Sequence, residues 1–398
     1  MKVLCTAQMG TGTIMGQTMR VVAIAKALKR RGHEVKFLAS DQLIPIIKDF
    51  GIDVIEITDM PQFDYPLSNQ AITPEQQEEM LVKSQQVMAK IMEIETEVVT
   101  REKPDLLLCG TISGPKVGQR LGIPSLLTIL QPHGPKTLAM FTQRLKNSKI
   151  KDRLSSWLAA ADLIMMEGMP EISGGVTFES LGANAAVFQD KIHFTGPLLT
   201  EYPDEMPSRE TLKEKHMVSG DKTLVYVTIG GGSTLIGEQF LQLVLESLRL
   251  LPQLTGVVAT GIAIPPDRIK SFNPPGNVII RGFVPGIELI KASDVTIFHG
   301  GSSTLMTCLA CGTPAVAIPS MGEQEDNGAV MAEGGAGIVL DKKTLTPQML
   351  VEAIQTIVTD PNYREQAVKL KSLGEKYGGA EVAALQAEKL VTRKAVLQ

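Results

Sequence analysis

Aromatic side chains make up only 4% of this 398-residue chain, and cysteine occurs four times. Cys5 and Cys109 stand alone, and only Cys308 and Cys311 are close together. That pattern gives neither a disulfide framework nor metal-ligand spacing, and it fits a reducing cytoplasm. The Cys308-Leu-Ala-Cys311 stretch has the spacing of a redox pair. It falls in a predicted helix beside small apolar residues, where a thiol acts as a small hydrophobe. No uninterrupted apolar run is long enough to span a bilayer. The opening residues, "MKVLCTAQMG", read as one short strand and then glycine, without the apolar core of a signal peptide. Neither sign of charge dominates, since 39 Lys and Arg face 43 Asp and Glu. The slightly negative balance argues against general electrostatic binding to nucleic acid.

What is present is a high apolar content, 43%, in a chain long enough for two domains. "KVLCT", "HEVKFLA", "IDVIEI", "PDLLLCG" and "PSLLTIL" read as strands. Between them lie "TMRVVAIAKALKRRG", with a basic last turn that suits the helix dipole, and a long amphipathic helix from residue 73 with Pro in its first turn. Strand-helix alternation predicts a parallel sheet. Around "HFTGPLLTEYPDEMPSRETLKEK" the pattern dissolves into Pro, acids and Lys, which suggests a linker. Alternation restarts at "KTLVYVTIGGGS" and runs to terminal helices. The expected organisation is an N-terminal domain over 1–200, a linker over 201–221, a second domain over 222–380 and a C-terminal helix over 381–398. Both domains are expected to be doubly wound and Rossmann-like, with a ligand cleft at the carboxyl ends of the strands between them.

Three glycine loops follow predicted strands. In "GTGTIMG", residues 10–16, Gly10, Gly12, Thr13 and Gly16 have G-x-G-x-x-x-G spacing. This departs from the dinucleotide fingerprint, although Asp41 follows the second strand where a ribose-binding acid would stand. A nicotinamide or flavin enzyme and a plain tight turn are both open readings of this loop. "IGGGST" supplies Gly230, Gly231 and Ser233, where backbone can approach a ligand closely. The strongest stretch is "VTIFHGGSSTLMTCLACGTPAVAIPSMGEQEDNGA", from residue 295. Its strand ends at Phe298, His299, Gly300 and Gly301 turn the chain, and Ser302, Ser303 and Thr304 begin a helix. The free N–H groups and positive dipole end of such a helix form an anion site, and a diphosphate is the expected guest.

That stretch resembles the nucleotide-sugar motif of family 1 glycosyltransferases of the GT-B fold, which runs roughly HGGxGTxxEALxxGVPxxxxPxxxDQxxNA. "IRGFVP" is similar to the family's nucleobase segment, "GQTMRVVAIAKALKRRGHEVKF" to its first helix and second strand, and "FTGPL" to the strand before its linker. The likeness is sharp in the C-terminal half and looser in the N-terminal half. It implies a donor site in the second domain. His299 and the N–H groups of residues 301–304 would hold the diphosphate, Phe283 and Val284 would meet the base, and Glu323 and Gln324 would bind sugar hydroxyls. The acceptor would lie beside the loop of Gly12, Thr13, Gly16 and Gln17.

Three positions depart from the family pattern. Its catalytic His corresponds to Gln17, the acid that orients that His corresponds to Gly110, and its ribose-binding Glu corresponds to Thr307. An amide cannot take a proton at neutral pH. His133 in "LQPHGP" is the best alternative base, with Asp64 and Glu167 weaker candidates. Other readings are an acceptor that needs no strong base, because leaving-group stabilisation carries the barrier, or a protein that binds a nucleotide sugar without transferring it.

A final feature is the basic segment from residue 134 to 162, with Lys136, Arg144, Lys146, Lys149, Lys151 and Arg153. Leu138, Phe141 and Leu145, then Leu154, Trp157 and Leu158, lie at helical spacing. It reads either as helices packed on the sheet with a solvated basic face or as a peripheral contact with anionic lipid. The resemblance implies an inverting transfer of a sugar from a UDP- or dTDP-sugar to a hydroxyl of an apolar small molecule or lipid. No metal is required on this reading, because His299 and the following helix N-terminus would stabilise the diphosphate leaving group, and no Asp-x-Asp metal motif is seen; no cofactor is expected besides the nucleotide sugar as co-substrate. The place of action is the cytoplasm, with membrane association if the basic segment meets lipid. The rivals are a nucleotide-sugar epimerase on the same fold and a catalytically impaired nucleotide-sugar-binding or partner protein.

Overall fold

The computed structural model describes residues 1–7, 14–40, 43–58, 60–61, 73–137, 155–177, 184–219, 221–230, 237–261, 264–282 and 284–397. The chain forms two compact units. One comprises residues 1–132, 138–200 and 377–398; the other comprises 133–137 and 201–376.

The first unit holds β1 (Lys2–Thr6), α1 (Ile14–Arg30), β2 (Glu34–Ala39), α2 (Leu43–Asp49), β3 (Asp53–Glu56), α3 (Pro74–Glu102), β4 (Leu106–Cys109), α4 (Ser113–Leu121), β5 (Ser125–Leu130), β6 (Leu163–Glu167) and β7 (Ile192–Gly196). Its seven-stranded sheet has the order β3-β2-β1-β4-β5-β6-β7, with every neighbouring pair parallel. Helices cover both faces of a parallel sheet, so its strands read as nearly continuous apolar runs. All four residues of β4 are buried, as are the last four of β1. The Thr73 side chain accepts the Gln76 N–H, and the Gln76 side chain answers to the Thr73 N–H, so α3 begins with a complete capping box followed by Pro74. Strand order reverses at β1, which opens a crevice at the carboxyl ends of β1 and β4.

The second unit holds α5 (Arg209–Lys215), β8 (Leu224–Thr228), α6 (Gly237–Arg249), β9 (Thr255–Ala259), α7 (Pro266–Lys270), β10 (Val278–Arg281), α8 (Gly286–Ala292), β11 (Val295–Phe298), α9 (Ser302–Cys311), β12 (Ala315–Ala317), α10 (Gly322–Glu333), β13 (Gly337–Val339), α11 (Pro347–Thr359) and α12 (Pro361–Glu375). The order of its parallel sheet is β10-β9-β8-β11-β12-β13. Val225, Val227, Leu241, Leu245, Ile297, Val316, Leu350 and Ile354 form the centre of its core. Here the order reverses at β8, so the crevice lies where β8 and β11 end.

Two stretches differ from the sequence-based organisation. Residues 201–221 were expected as a linker, but much of this stretch folds onto the second unit. Leu212 on α5 is fully buried, Arg209 donates to the Ala292 carbonyl at 3.0 Å, and Lys213 lies 3.2 Å from Asp294. A short helix whose one large apolar residue is hidden among charges carries little periodicity to read. The terminal helix α13 (Gly379–Leu397) returns to the first unit and packs on α1. Ala380, Ala383, Ala384 and Ala387, all fully buried, give it a smooth stripe that approaches closely. Around the stripe Arg31 and His33 both pair with Glu388, at 2.8 and 2.7 Å, and Lys394 pairs with Asp162 at 2.8 Å.

Cys308 is fully buried on α9 and burial pushes its thiol well up; Cys311 is half-buried and is pushed up to about 12. Neither is a thiolate at neutral pH, which agrees with a packing role.

Candidate functional site

The buried strand β11 delivers His299 to the carboxyl edge of the second sheet. The ring is held between two glycines. A Cβ on Gly301 would stand 2.5 Å from His299 Nε2, and one on Gly230 would stand 2.8 Å from Cε1. Gly230 lies in the left-handed region, φ +74°, so it follows β8 with a turn that other residues adopt only with strain. Burial lowers the imidazole to about 4, so the ring is neutral at neutral pH. Its Nδ1 is enclosed without a hydrogen-bond partner.

Gly301 is the N-cap of α9 and offers no side-chain cap. The N–H groups of the first turn, Ser302, Ser303 and Thr304, are thus the orphan donors of a helix N-terminus. Thr307, one turn on, donates its hydroxyl to the Ser303 carbonyl at 2.8 Å. The loop is fixed from β12 and α10. Asn327 Nδ2 donates to the Gly300 carbonyl at 2.8 Å, and Ile318 N–H donates to the Phe298 carbonyl at 2.8 Å. A neutral imidazole, glycines without side chains and an uncapped helix start together make a compact donor set for an anion.

The other expected donor residues fall nearby on the same unit. Val284 is half-buried just before α8, and Glu323 is half-buried in the first turn of α10. Gln324 is buried, and its side-chain carbonyl accepts the Ser320 N–H at 2.8 Å. That oxygen is committed to the loop before α10, which leaves the amide NH₂ as the donor of this side chain. Phe283, Gly231 and Ser233 lie outside the described residues, as do Gly12, Thr13, Asp41 and Asp64.

In the first unit, Gly16 and Gln17 are half-buried at the start of α1, and the Gln17 side-chain oxygen is enclosed with no hydrogen-bond partner. A Cβ on Gly110 would stand 2.9 Å from Val21 Cγ2 and 3.0 Å from the Ala7 Cβ. Two apolar side chains fill the space beside that position, one of them on α1 a single turn beyond Gln17. Glu167, expected as a weaker base, is engaged instead. It lies 3.3 Å from Arg20 Nη1 and accepts the Leu198 N–H at 2.9 Å, in a place where both charged groups are buried. Removing one partner of such a pair is costly, so this carboxylate is held by its partners. His133 is buried and belongs to the second unit, where the sequence had placed it in the first. Residues 138–154 of the basic segment lie outside the described residues. At its end, Leu158 is part of the first unit's core.

One group escaped the sequence reading. Glu95 on α3 is buried at the carboxyl ends of β1 and β4. Ser113 donates to Glu95 Oε1 at 3.0 Å, Thr111 and Ser113 share a 2.9 Å hydrogen bond, and Oε2 is enclosed. Its signal was an acid among Ile91, Val98 and Val99 on the buried face of α3. Burial pushes the carboxyl up to about 8, against the weaker pull of the Ser113 and Thr6 hydroxyls. Because the folded value lies above the unfolded 4.5, the stability it contributes is complete below pH 4.5. It is lost as pH rises toward 8, at up to about 1.4 kcal/mol per pH unit. Glu95→Gln is expected to flatten that decline between pH 5 and 8 in urea titrations.

Among the described residues no group of three His, Cys, Asp or Glu is placed to hold a metal, and no helix is long and apolar enough to cross a membrane.

Residues 256–378 match the family described as "Erythromycin biosynthesis protein CIII-like, C-terminal domain". Over 407 aligned residues the chain is 23% identical to the NDP-glycosyltransferase YjiC of Bacillus subtilis (strain 168), covering 96% of each. Among solved structures it is similar to CalG4, the calicheamicin glycosyltransferase, with TM-score 0.71 and 18% identity over 98% of both chains. It is also similar to the glycosyltransferase VinC in complex with dTDP, with TM-score 0.68 and 18% identity over 99% of this chain and all of that one. The two parallel sheets are those of the GT-B fold, and the chain is related along nearly its whole length to glycosyltransferases.

Proposed function

We propose that this chain transfers a hexosyl group from a UDP- or dTDP-sugar to a hydroxyl of an apolar small molecule or lipid, with inversion and without a metal. The observation that carries the reading is His299, neutral and held between Gly230 and Gly301 at the uncapped start of α9. The dTDP bound by the structurally similar VinC supports a nucleoside diphosphate as the ligand of that place. The second unit then serves the donor, with Val284 toward the base and Glu323 and the Gln324 amide toward the sugar. The first unit serves the acceptor, from the side of Gly16 and Gln17. In the reaction the acceptor oxygen bonds to the anomeric carbon as the bond from that carbon to the diphosphate oxygen breaks. The leaving oxygens gather negative charge, which the α9 N–H groups and the His299 N–H stabilise as it develops. The acceptor proton needs a base. Gln17 orients the hydroxyl by hydrogen bonding, and His133 is the residue proposed to take the proton. The reaction is placed in the cytoplasm.

Gly110 favours a second reading. A Cβ on Gly110 would crowd Val21 and Ala7, and glycine itself offers no carboxylate to orient a base near position 17. That packing supports, as the second reading, a nucleotide-sugar-binding protein without transfer. Calorimetric titration with UDP, dTDP, GDP and NAD tests the ligand common to both readings. One or more of the nucleoside diphosphates is expected to bind, and NAD is not. Binding of NAD alone would sink both.

A further inference from the structure

Helix α10 carries more than sugar-facing residues. Asp326, in its second turn, is 5% exposed and turns its carboxylate onto residues 134–137 of the same unit. Its Oδ1 accepts the Lys136 N–H at 3.3 Å, and its Oδ2 accepts the Thr137 N–H. Both are N–H groups at the start of a helical turn, where a buried carboxylate is a strong cap. The fit is close on both sides. A Cβ on Gly134 would stand 2.6 Å from the Asp326 carboxylate, and one on Gly322, the first residue of α10, would stand 3.1 Å from the Lys136 Cβ. Lys136 also pairs with Glu325. Asn327, the next residue, grips the Gly300 carbonyl. Neighbouring side chains of one helix thus hold the diphosphate loop and the stretch that begins with the buried His133.

We propose that Asp326 is a positioning residue, which clasps residues 134–137 along the first turn of α10 so that His133 serves the sugar-nucleotide side of the site. This rests on the donor-site reading above. It adds that His133 acts where Glu323 and Gln324 stand, so that its loss is felt in donor use as well as in proton transfer.

Two variants open the clasp from opposite sides: Asp326→Ala removes the acceptor, and Gly134→Ala pushes the segment away from it. Hydrogen exchange at the amides of Lys136 and Thr137 reads the clasp without any ligand. Both variants are expected to lose protection there while the strands of the second sheet keep theirs. Unchanged protection in Asp326→Ala overturns the clasp, whatever the protein binds. The kinetic readout is the KM for a UDP- or dTDP-sugar in wild type, Asp326→Ala, His133→Ala and the double variant. Each single change is expected to raise KM on the order of tenfold. The double variant is expected to be no worse than the poorer single one, because residues acting through one another are not additive. Additive effects, or a donor KM that moves in neither single variant, overturn the positioning role. Failure of wild type to bind any nucleoside diphosphate removes the donor-site reading and this inference with it, while the exchange result still decides the clasp.

Discussion

His299→Ala is expected to weaken nucleoside diphosphate binding about a hundredfold, which corresponds to about 2–3 kcal/mol for a hydrogen bond to a charged group in a buried place. The ring does two things at once. In the proposed function it offers an N–H to the anion, and it fills the gap between Gly230 and Gly301, so its loss would also loosen the loop at the start of α9. At neutral pH the stability lost is expected to be that of the ring's packing between the two glycines alone, because the imidazole is uncharged there and its Nδ1 makes no hydrogen bond. The pH dependence separates the two forms further. The folded ligand-free protein holds His299 at about 4, below the unfolded 6.5, so the unfolded chain binds more protons between those values. Wild type therefore loses stability as pH falls from 6.5 toward 4, and the alanine variant lacks that component. Anion binding favours the protonated ring, so dTDP or UDP is expected to be taken up with protons at mildly acid pH. Calorimetry in buffers of different ionisation enthalpy would show it, and equal proton uptake in the alanine variant would assign it elsewhere.

The second large effect is on the fold itself. Gly300→Ala is expected to destabilise the second unit by about 3 kcal/mol or more, which lowers its melting temperature by about 6–12 °C. Gly300 sits at φ +81°, and a Cβ there would overlap the backbone carbonyl of Gln324. The first turn of α10 would have to move, and with it the Asn327 hydrogen bond to the Gly300 carbonyl. Gly32→Ala is the control. That residue has φ +84° with nothing near its Cβ position, so only the left-handed strain applies, about 1 kcal/mol. Similar melting shifts for the two variants would show that the close approach at Gly300 is not what holds the loop.

Much of this was legible in the sequence because the chemistry is local. A strand that runs into His-Gly-Gly and then small hydroxyl residues dictates a turn and a helix start with few alternatives, and β11, the loop and α9 follow it. The alternation of apolar strands and amphipathic helices gave the two parallel sheets for the same reason. What the sequence hid depends on contacts distant along the chain. Nothing local shows that an alanine stripe at 380–387 lies against α1. Nor does it show that the five residues from His133 join the second unit through Asp326, or that Glu167 is occupied by Arg20. Glu95 was visible as an acid on a buried helix face. That position has meaning only once Ser113 and the ends of β1 and β4 surround it. The departures at Gln17 and Gly110 were legible as residues. The crowding of a Cβ at Gly110 by Val21 and Ala7 needed coordinates.

The most direct test of the central claim is release of nucleoside diphosphate from a UDP- or dTDP-sugar, followed with and without hydroxyl-bearing apolar acceptors. The account predicts release that depends on an acceptor, a glycosylated product of inverted anomeric configuration and loss of turnover in His299→Ala. Tight donor binding with no release for any acceptor would contradict transfer and leave a binding protein, and conversion of the donor sugar without acceptor would make the chain an epimerase.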